Sequence, residues 1–293
     1  LFLMLTGSLL LQPEKKESLS FFFKKRWARI GLPCLFWGTI YFVWDFLVVK
    51  LPFTADAVIQ GILNGPYTQF WYLYVLIGLY LLTPILRIFI ANADKTIVKY
   101  FIVLWLLGVA ILPFFTLLTD YTLNNNVFTI TGFVGYFVLG IYLLTVQIRR
   151  STLAIYMTFG IALTAFGTYL LAATKGGTGM YFFQEYFSPT VIFAAVIVFL
   201  LLLTVKPPTF QLETKLSLIN RLIRVIGQNT FAIFLLHVLV LESIQNGYFG
   251  FVINRNTLNP VIEAPLMTVI VLFFSLAIIL LLKKVPYLKK LIG

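Results

Sequence analysis

Long apolar runs recur along the chain, and short stretches rich in charged residues or in Gly, Pro and Asn separate them. Most runs are close to the roughly 20 residues that a helix needs to cross a bilayer core. Backbone groups in lipid must pair within their own segment, so the runs predict helices. They are continuously apolar, unlike the alternating strands of a membrane barrel. The pattern gives nine segments, at about 1–12, 32–49, 69–90, 98–118, 128–146, 153–173, 190–205, 226–246 and 264–282.

Composition supports a membrane protein. Hydrophobic residues make up 60% of the 293 positions and charged residues only 11%, whereas a soluble domain has about 25% charged residues. No internal repeat or low-complexity tract divides the chain. The sequence therefore predicts an all-α fold: a polytopic integral membrane helix bundle, forming one domain over residues 1–293.

The net charge of +12 has two explanations, nucleic-acid binding or positive cytoplasmic loops. If residues 13–31 are cytoplasmic and the segments alternate, all but three of the 22 Lys and Arg residues fall on that side; the exceptions are Lys50, Lys175 and Arg255. This split is the positive-inside pattern. It predicts a multi-pass protein of the cell (inner or plasma) membrane with a cytoplasmic C-terminus, surrounded by lipid and without a nucleic-acid partner.

The cytoplasmic stretch 206–225 shows helical periodicity. Leu212, Leu216, Ile219 and Ile223 repeat at helical spacing, and Lys215, Arg221 and Arg224 lie elsewhere around the helix. This pattern predicts a basic amphipathic helix on the inner membrane surface.

The chain opens inside an apolar run that ends at Leu11 and is followed by cytoplasmic charge. That run must pass from outside to inside and is too short to span. We therefore expect one more helix upstream and ten spans in the parent protein. No charged n-region or small-residue cleavage site marks the run as a signal peptide.

Three ionisable residues within predicted spans are candidates for function, because such residues are costly in a membrane. For Asp45, near the outer end of its span, the plain alternative is a hydrated interfacial position. His237 is the only histidine. The alternative to a functional role is a structural one, in which its ring hydrogen-bonds to a neighbouring helix. Glu242 lies five positions after His237, so the two do not share a helix face. One histidine and one cysteine, Cys34, do not supply a familiar zinc site, and none is predicted.

The densest charge cluster is "FFFKKRWARIGLP", which contains Lys25, Arg26 and Arg29. It is either a topogenic anchor attracted to anionic lipid or a site for a phosphate-bearing cytoplasmic ligand. Arg26 and Arg29 are three residues apart and would share a face of a helix, and guanidinium groups bind phosphate bidentately. Trp71, at an outer boundary, belongs to an interfacial aromatic belt or stacks on sugar rings.

Five motifs, in order, resemble those of the membrane acyltransferase-3 family over nearly the whole chain. They are "LFLMLTGSLLL", with Thr6-Gly7 where Ser-Gly is usual, "FFKKRWARIGLP", "QFWYLYVLIGLYLLTPILR", "GYFVLGIYLL" and "NTFAIFLLHVLVLE". Members of this family modify cell-surface polysaccharides and related glycans. The resemblance identifies the chain as an O-acyltransferase that moves an acetyl or succinyl group from cytoplasmic acyl-CoA to a glycan or lipid-linked glycan hydroxyl.

The resemblance also implies roles for residues. Arg26, Arg29 and Lys25 would bind the phosphates of acyl-CoA, a co-substrate rather than a tightly bound cofactor, with acetyl-CoA the favoured donor. Close helix approach at Thr6 and Gly7 would leave a narrow path for the acyl chain and pantetheine.

The remaining implied roles concern catalysis and the acceptor. The family's catalytic histidine lies in a first span, which we expect upstream of Leu1, so the chain as given would be inactive. His237 and Glu242 would support catalysis. Gln69, Trp71 and Asp45 would contact the acceptor, with Gln69 replacing a common histidine.

Two other functions remain open from the sequence. A transporter or flippase of a lipid-linked glycan has a suitable topology, and a non-catalytic membrane receptor or assembly partner is the second alternative. The sequence does not identify the acyl group, the acceptor or the oligomeric state.

Overall fold

The computed structural model describes residues 1–14, 17–119, 121, 132–176, 181–205, 216–254 and 257–293, apart from the side chains of 216, 217 and 219. Most of the predicted surface helix, including Leu212 and Lys215, lies outside the described residues. The predicted all-α membrane fold is confirmed, because within these ranges the chain forms helices and no strand. Ten helices follow one another: α1 Phe2–Leu10, α2 Leu19–Val49, α3 Ala55–Asn64, α4 Thr68–Asn92, α5 Lys95–Thr119, α6 Val134–Leu143, α7 Arg150–Lys175, α8 Pro189–Thr204, α9 Leu216–Gln245 and α10 Pro260–Leu282.

Seven helical stretches within the described ranges are long and apolar enough to cross a membrane: α2, α4, α5, α7, α9, α10 and the stretch Phe182–Thr204, which ends with α8. Helices α1 and α6 are shorter.

Polar side chains fix several helix starts, because an N-cap oxygen satisfies an otherwise unpaired backbone N–H. Asp94 accepts from the Ile97 N–H at 2.8 Å, and Ser188 accepts from the Val191 N–H at 3.3 Å.

Helix α2 differs from its prediction. The basic segment before Leu32 was expected to be a loop, but it is helical and continuous with the span. Ser18 caps its start by accepting from the Phe21 N–H at 3.3 Å. A π-helical turn at Trp27–Gly31 directly precedes Pro33. Proline has no N–H and crowds the preceding turn, so a wider turn at this point lets the helix continue.

Two further differences concern loops. The short helix α3 was not predicted; Thr54 caps it and Gly65, at φ +95°, ends it. The described part of the predicted surface helix, from residue 216 onward, is the start of α9 and passes into the span without a break. Arg221 and Arg224 therefore lie near the start of a long helix.

The chain forms two compact units. Unit one comprises residues 1–16 and 78–209, and unit two comprises residues 17–77 and 210–293. In unit one, α1 packs on α6 with backbone contact. A Cβ at Gly7 would lie 1.9 Å from the Phe137 carbonyl oxygen, and a Cβ at Gly140 would lie 1.9 Å from that of Met4. Only glycine permits this approach.

In unit two, buried aromatic side chains tie α2 to the C-terminal part of the chain. The Tyr41 hydroxyl donates to the Leu235 carbonyl at 2.8 Å, and the Trp37 indole N–H donates to the Ile292 carbonyl at 3.2 Å. Both rings are buried. Because a buried polar group must be paired, the Tyr41 bond fixes how α2 meets α9, and the Trp37 bond fixes how α2 meets the C-terminal residues after α10.

Candidate functional site

Five side chains of unit two form a polar cluster, which we call the acidic–aromatic cluster: Tyr41, Asp45, Tyr67, Gln69 and Glu242. Tyr41 and Asp45 are one turn apart on α2, so they lie on the same helix face. Tyr67 and Gln69 flank the start of α4, and Glu242 lies near the end of α9. Three segments that are distant in sequence therefore contribute to one site.

The Tyr67 hydroxyl donates a hydrogen bond to the Glu242 carboxylate. The Tyr67 ring also packs on the Tyr41 ring, with centroids 4.6 Å apart. Burial raises the pKa of Tyr67, and its hydrogen bond to Glu242 raises that pKa further. Tyr67 therefore stays protonated at neutral pH and acts as a hydrogen-bond donor rather than a base.

Gln69 is buried, with 6% of its surface accessible. Its amide lies beside the Tyr41 hydroxyl, whose proton is donated to the Leu235 carbonyl. Neither amide atom of Gln69 has a hydrogen-bond partner among the described residues. Leaving such a group unpaired costs about 1–3 kcal/mol, so the amide is suited to an external donor and acceptor.

The two carboxylates of the cluster interact with each other. Asp45 and Glu242 are close enough for their charges to repel, and both side chains are partly buried. No lysine or arginine in the described part of the chain forms an ion pair with either one. Asp45 also begins a π-helical turn, Asp45–Val49, a feature that is frequent at functional sites.

His237 lies apart from this cluster. Glu242 is five residues away, about 140° around the helix. The Nδ1 atom of His237 is 2.6 Å from the Phe234 carbonyl of the same helix. A carbonyl only accepts, so Nδ1 is the donor in this hydrogen bond. The expectation that the two residues do not share a face is confirmed.

Trp71 follows the cluster on α4 and is partly buried. Its ring makes an edge contact with Tyr72 at 6.0 Å between centroids, and Tyr72 packs on Phe234 at 5.5 Å. Phe234 in turn packs on His237 at 5.8 Å. Trp71 and His237 are thus connected through aromatic rings, whereas Gln69 and Glu242 belong to the acidic–aromatic cluster.

The predicted donor residues have different surroundings. Arg26 is buried, and its guanidinium lies over the Phe22 ring at 4.6 Å. Arg29 and Lys25 are exposed. The spacing of Arg26 and Arg29 predicted one shared face, but the π-turn that begins at Trp27 has more residues per turn than an α-helix and rotates them apart.

The predicted close helix approach at Thr6 and Gly7 is confirmed in unit one. The Thr6 hydroxyl donates to the Phe2 carbonyl at 2.9 Å, and Gly7 contacts the backbone of Phe137. The contact has no room for even a methyl group, so an acyl chain cannot pass between α1 and α6 at this level. A path for the acyl chain along another face of α1 stays a prediction.

The sequence analysis missed Tyr41 and Tyr67 as site residues. Two signals were present: Tyr41 precedes Asp45 by one helical turn, and Tyr67 precedes Gln69 by two positions. Aromatic residues make up 17% of the chain, and most of those near span ends form an interfacial belt. Neither tyrosine was therefore distinguished from this belt.

Comparison with known proteins gives one match. A family model described as an acyltransferase domain matches residues 1–282. No curated protein matches the chain, and no solved structure matches it. The family match covers both compact units and every helix described above.

Proposed function

Because the chain belongs to the acyltransferase-3 family and is a membrane acyltransferase, we propose that it transfers an acetyl or succinyl group from cytoplasmic acyl-CoA to a glycan hydroxyl. The acceptor is a surface polysaccharide or a lipid-linked glycan. The observation that carries the proposal is the acidic–aromatic cluster, where a buried amide without a described partner adjoins two carboxylates and two tyrosines.

The cluster has the chemistry that recognises a sugar. Sugar hydroxyls donate to carboxylates, and an amide both donates to and accepts from a hydroxyl. The Tyr41 and Tyr67 rings supply apolar surface next to these groups. Asp45 and Gln69 therefore act as acceptor-binding residues, and Trp71 extends the aromatic surface beyond them.

The donor binds at the opposite end of α2. Arg26 and Asp45 are nineteen residues apart, which is about 28 Å along a helix and close to the thickness of the hydrocarbon core. With the C-terminus in the cytoplasm of a cell-membrane protein, Lys25, Arg26 and Arg29 meet the CoA phosphates. The acceptor cluster then lies toward the outer side.

The reaction is acyl transfer from a thioester to an alcohol. The acceptor oxygen attacks the thioester carbonyl, a C–O bond forms and the C–S bond breaks. The hydroxyl proton passes to a base, and CoA leaves as the thiol. His237 supports this chemistry from beside the aromatic rings of Phe234 and Tyr72, and Tyr67 holds Glu242 in place.

The test is transfer of label in membranes that contain the protein. Radiolabelled acetyl-CoA and succinyl-CoA are supplied separately, and the glycan fraction is assayed for alkali-labile ester. We expect label from one donor in the glycan and none in membranes from a deletion strain. Unchanged glycan acylation after deletion, or loss of glycan export without loss of acylation, would contradict the proposal and favour a transporter.

A further inference from the structure

We propose that the acceptor carries a protonated amine, as in an amino sugar with a free amino group, and that Asp45 and Glu242 bind this ammonium next to the acylated hydroxyl. This inference rests on the proposed function, because it names the substrate class of the same site. It starts from the charge of the acidic–aromatic cluster.

The geometry places both carboxylates in one partly buried site. Asp45 shares a face of α2 with Tyr41, the Tyr41 ring packs on Tyr67 at 4.6 Å, and Tyr67 donates to Glu242. Lys50, the next basic residue after Asp45, is exposed and forms no described ion pair with it. Two carboxylates in one partly buried site favour a proton or a cation between them.

Three features favour a cation over a shared proton. Tyr67 donates to one oxygen of the Glu242 carboxylate, which leaves the other oxygen available to a further donor. The rings of Tyr41 and Tyr67 present faces that attract a cation. Gln69 is 6% exposed with an amide that lacks a described partner, which marks a place for a polar ligand rather than for a proton alone.

Binding the amine as ammonium also directs the reaction. A free amine is a better nucleophile than a hydroxyl, but an ammonium has no lone pair. Carboxylates that keep the amine protonated therefore prevent amide formation at nitrogen. The acyl group then forms an ester with the neighbouring oxygen, and the amine remains unmodified in the product.

The experiment compares three probes, glucosamine, N-acetylglucosamine and glucose, at neutral pH. Each is titrated against the purified protein in nanodiscs, and binding is followed by saturation-transfer NMR. We expect glucosamine to bind about tenfold more tightly than the other two, the contribution of a charge-assisted hydrogen bond. Equal binding of the three probes, stronger binding of glucose, or no binding of glucosamine would overturn the inference.

Variants locate the site. In Asp45→Asn and Glu242→Gln, which keep side-chain shape, the preference for glucosamine should fall to less than about threefold. Lys284→Ala, an exposed substitution outside the cluster, should keep the full preference. A preference that persists in both cluster variants places the cation elsewhere and overturns the inference. The wild-type comparison needs no variant, so misfolding of either one does not remove the test.

A parallel transfer assay separates this inference from the proposed function. Ester label in the glycan without a preference for glucosamine would refute the amine inference alone. Preference for glucosamine without transfer from acyl-CoA would refute the proposed function while leaving the cation site in place.

Discussion

At the scale of single residues, the Tyr67 hydroxyl and the Glu242 carboxylate hold the acidic–aromatic cluster together. They are 175 positions apart in the chain, so their contact depends on how α9 packs beside the start of α4. Asp45 and Glu242 were each predicted from their own position within a span, and Gln69 was predicted from the family resemblance. Their position next to one another and to two tyrosines was not predicted, because contacts between distant segments leave no periodic signal in a single sequence.

Tyr67→Phe tests this contact directly. The change removes one hydroxyl from a carboxylate and leaves the ring contact with Tyr41 intact. We expect the acceptor KM to rise about tenfold or more, since a hydrogen bond to a charged group contributes about 1.5–3 kcal/mol. The KM for acyl-CoA should not change. Steady-state kinetics with each substrate varied in turn measure both, and equal rises in the two KM values would contradict the assignment.

At the scale of helices, glycine determines how α1 meets α6. The motif around Thr6-Gly7 predicted close approach, and the structure confirms it because the contact depends on a local residue type. The π-turns in α2 were not predicted. They arise where Pro33 or the span end alters backbone pairing, and residue pattern does not distinguish a π-turn from an α-turn.

Gly7→Ala and Gly140→Ala should each destabilise the protein by about 1–3 kcal/mol, the range for overpacked sites. In both, the new methyl group would lie 1.9 Å from a backbone oxygen, so the helices must separate. Gly78→Ala is the matched control, since nothing lies within 4 Å of its Cβ and alanine favours the helix. Thermal unfolding in detergent measures the stability of all three variants. Equal unfolding midpoints would contradict the close contact between α1 and α6.

The basic end of α2 gives a second element-scale prediction. Arg29→Ala should raise the KM for acyl-CoA about tenfold without changing the unfolding temperature, because its side chain is exposed. Arg26→Ala should lower stability as well, because its guanidinium packs on Phe22. Arg150→Ala, exposed in unit one, serves as the control. An unchanged KM in Arg29→Ala would indicate a topogenic role only.

At the scale of the whole molecule, charge asymmetry predicts the orientation. The alternation of Lys and Arg between loops was readable from sequence because it depends on counts rather than on packing. The division into two units was not readable from the sequence, because contacts between distant parts of the chain define it. Residues 17–77 and 210–293 assemble into unit two although 132 residues separate them in the chain.

Cysteine mapping tests this orientation. Cys34 is the only cysteine, so Cys34→Ala provides a background without thiols. In intact cells an impermeant maleimide should label Asp56→Cys and Asn246→Cys but not Ser20→Cys or Lys284→Cys, all four positions being exposed. Permeabilised cells should show labelling at all four. The opposite pattern in intact cells would invert the orientation and place the donor residues outside.

The most direct test of the central claim is the kinetics of Gln69→Met. Methionine keeps the length of the side chain and removes an amide that has no partner in the described structure. Stability should therefore hold or rise. In the transfer assay, we predict an acceptor KM at least about tenfold higher, with the KM for acyl-CoA unchanged. An unchanged acceptor KM in a stably folded variant would contradict acceptor binding at the acidic–aromatic cluster.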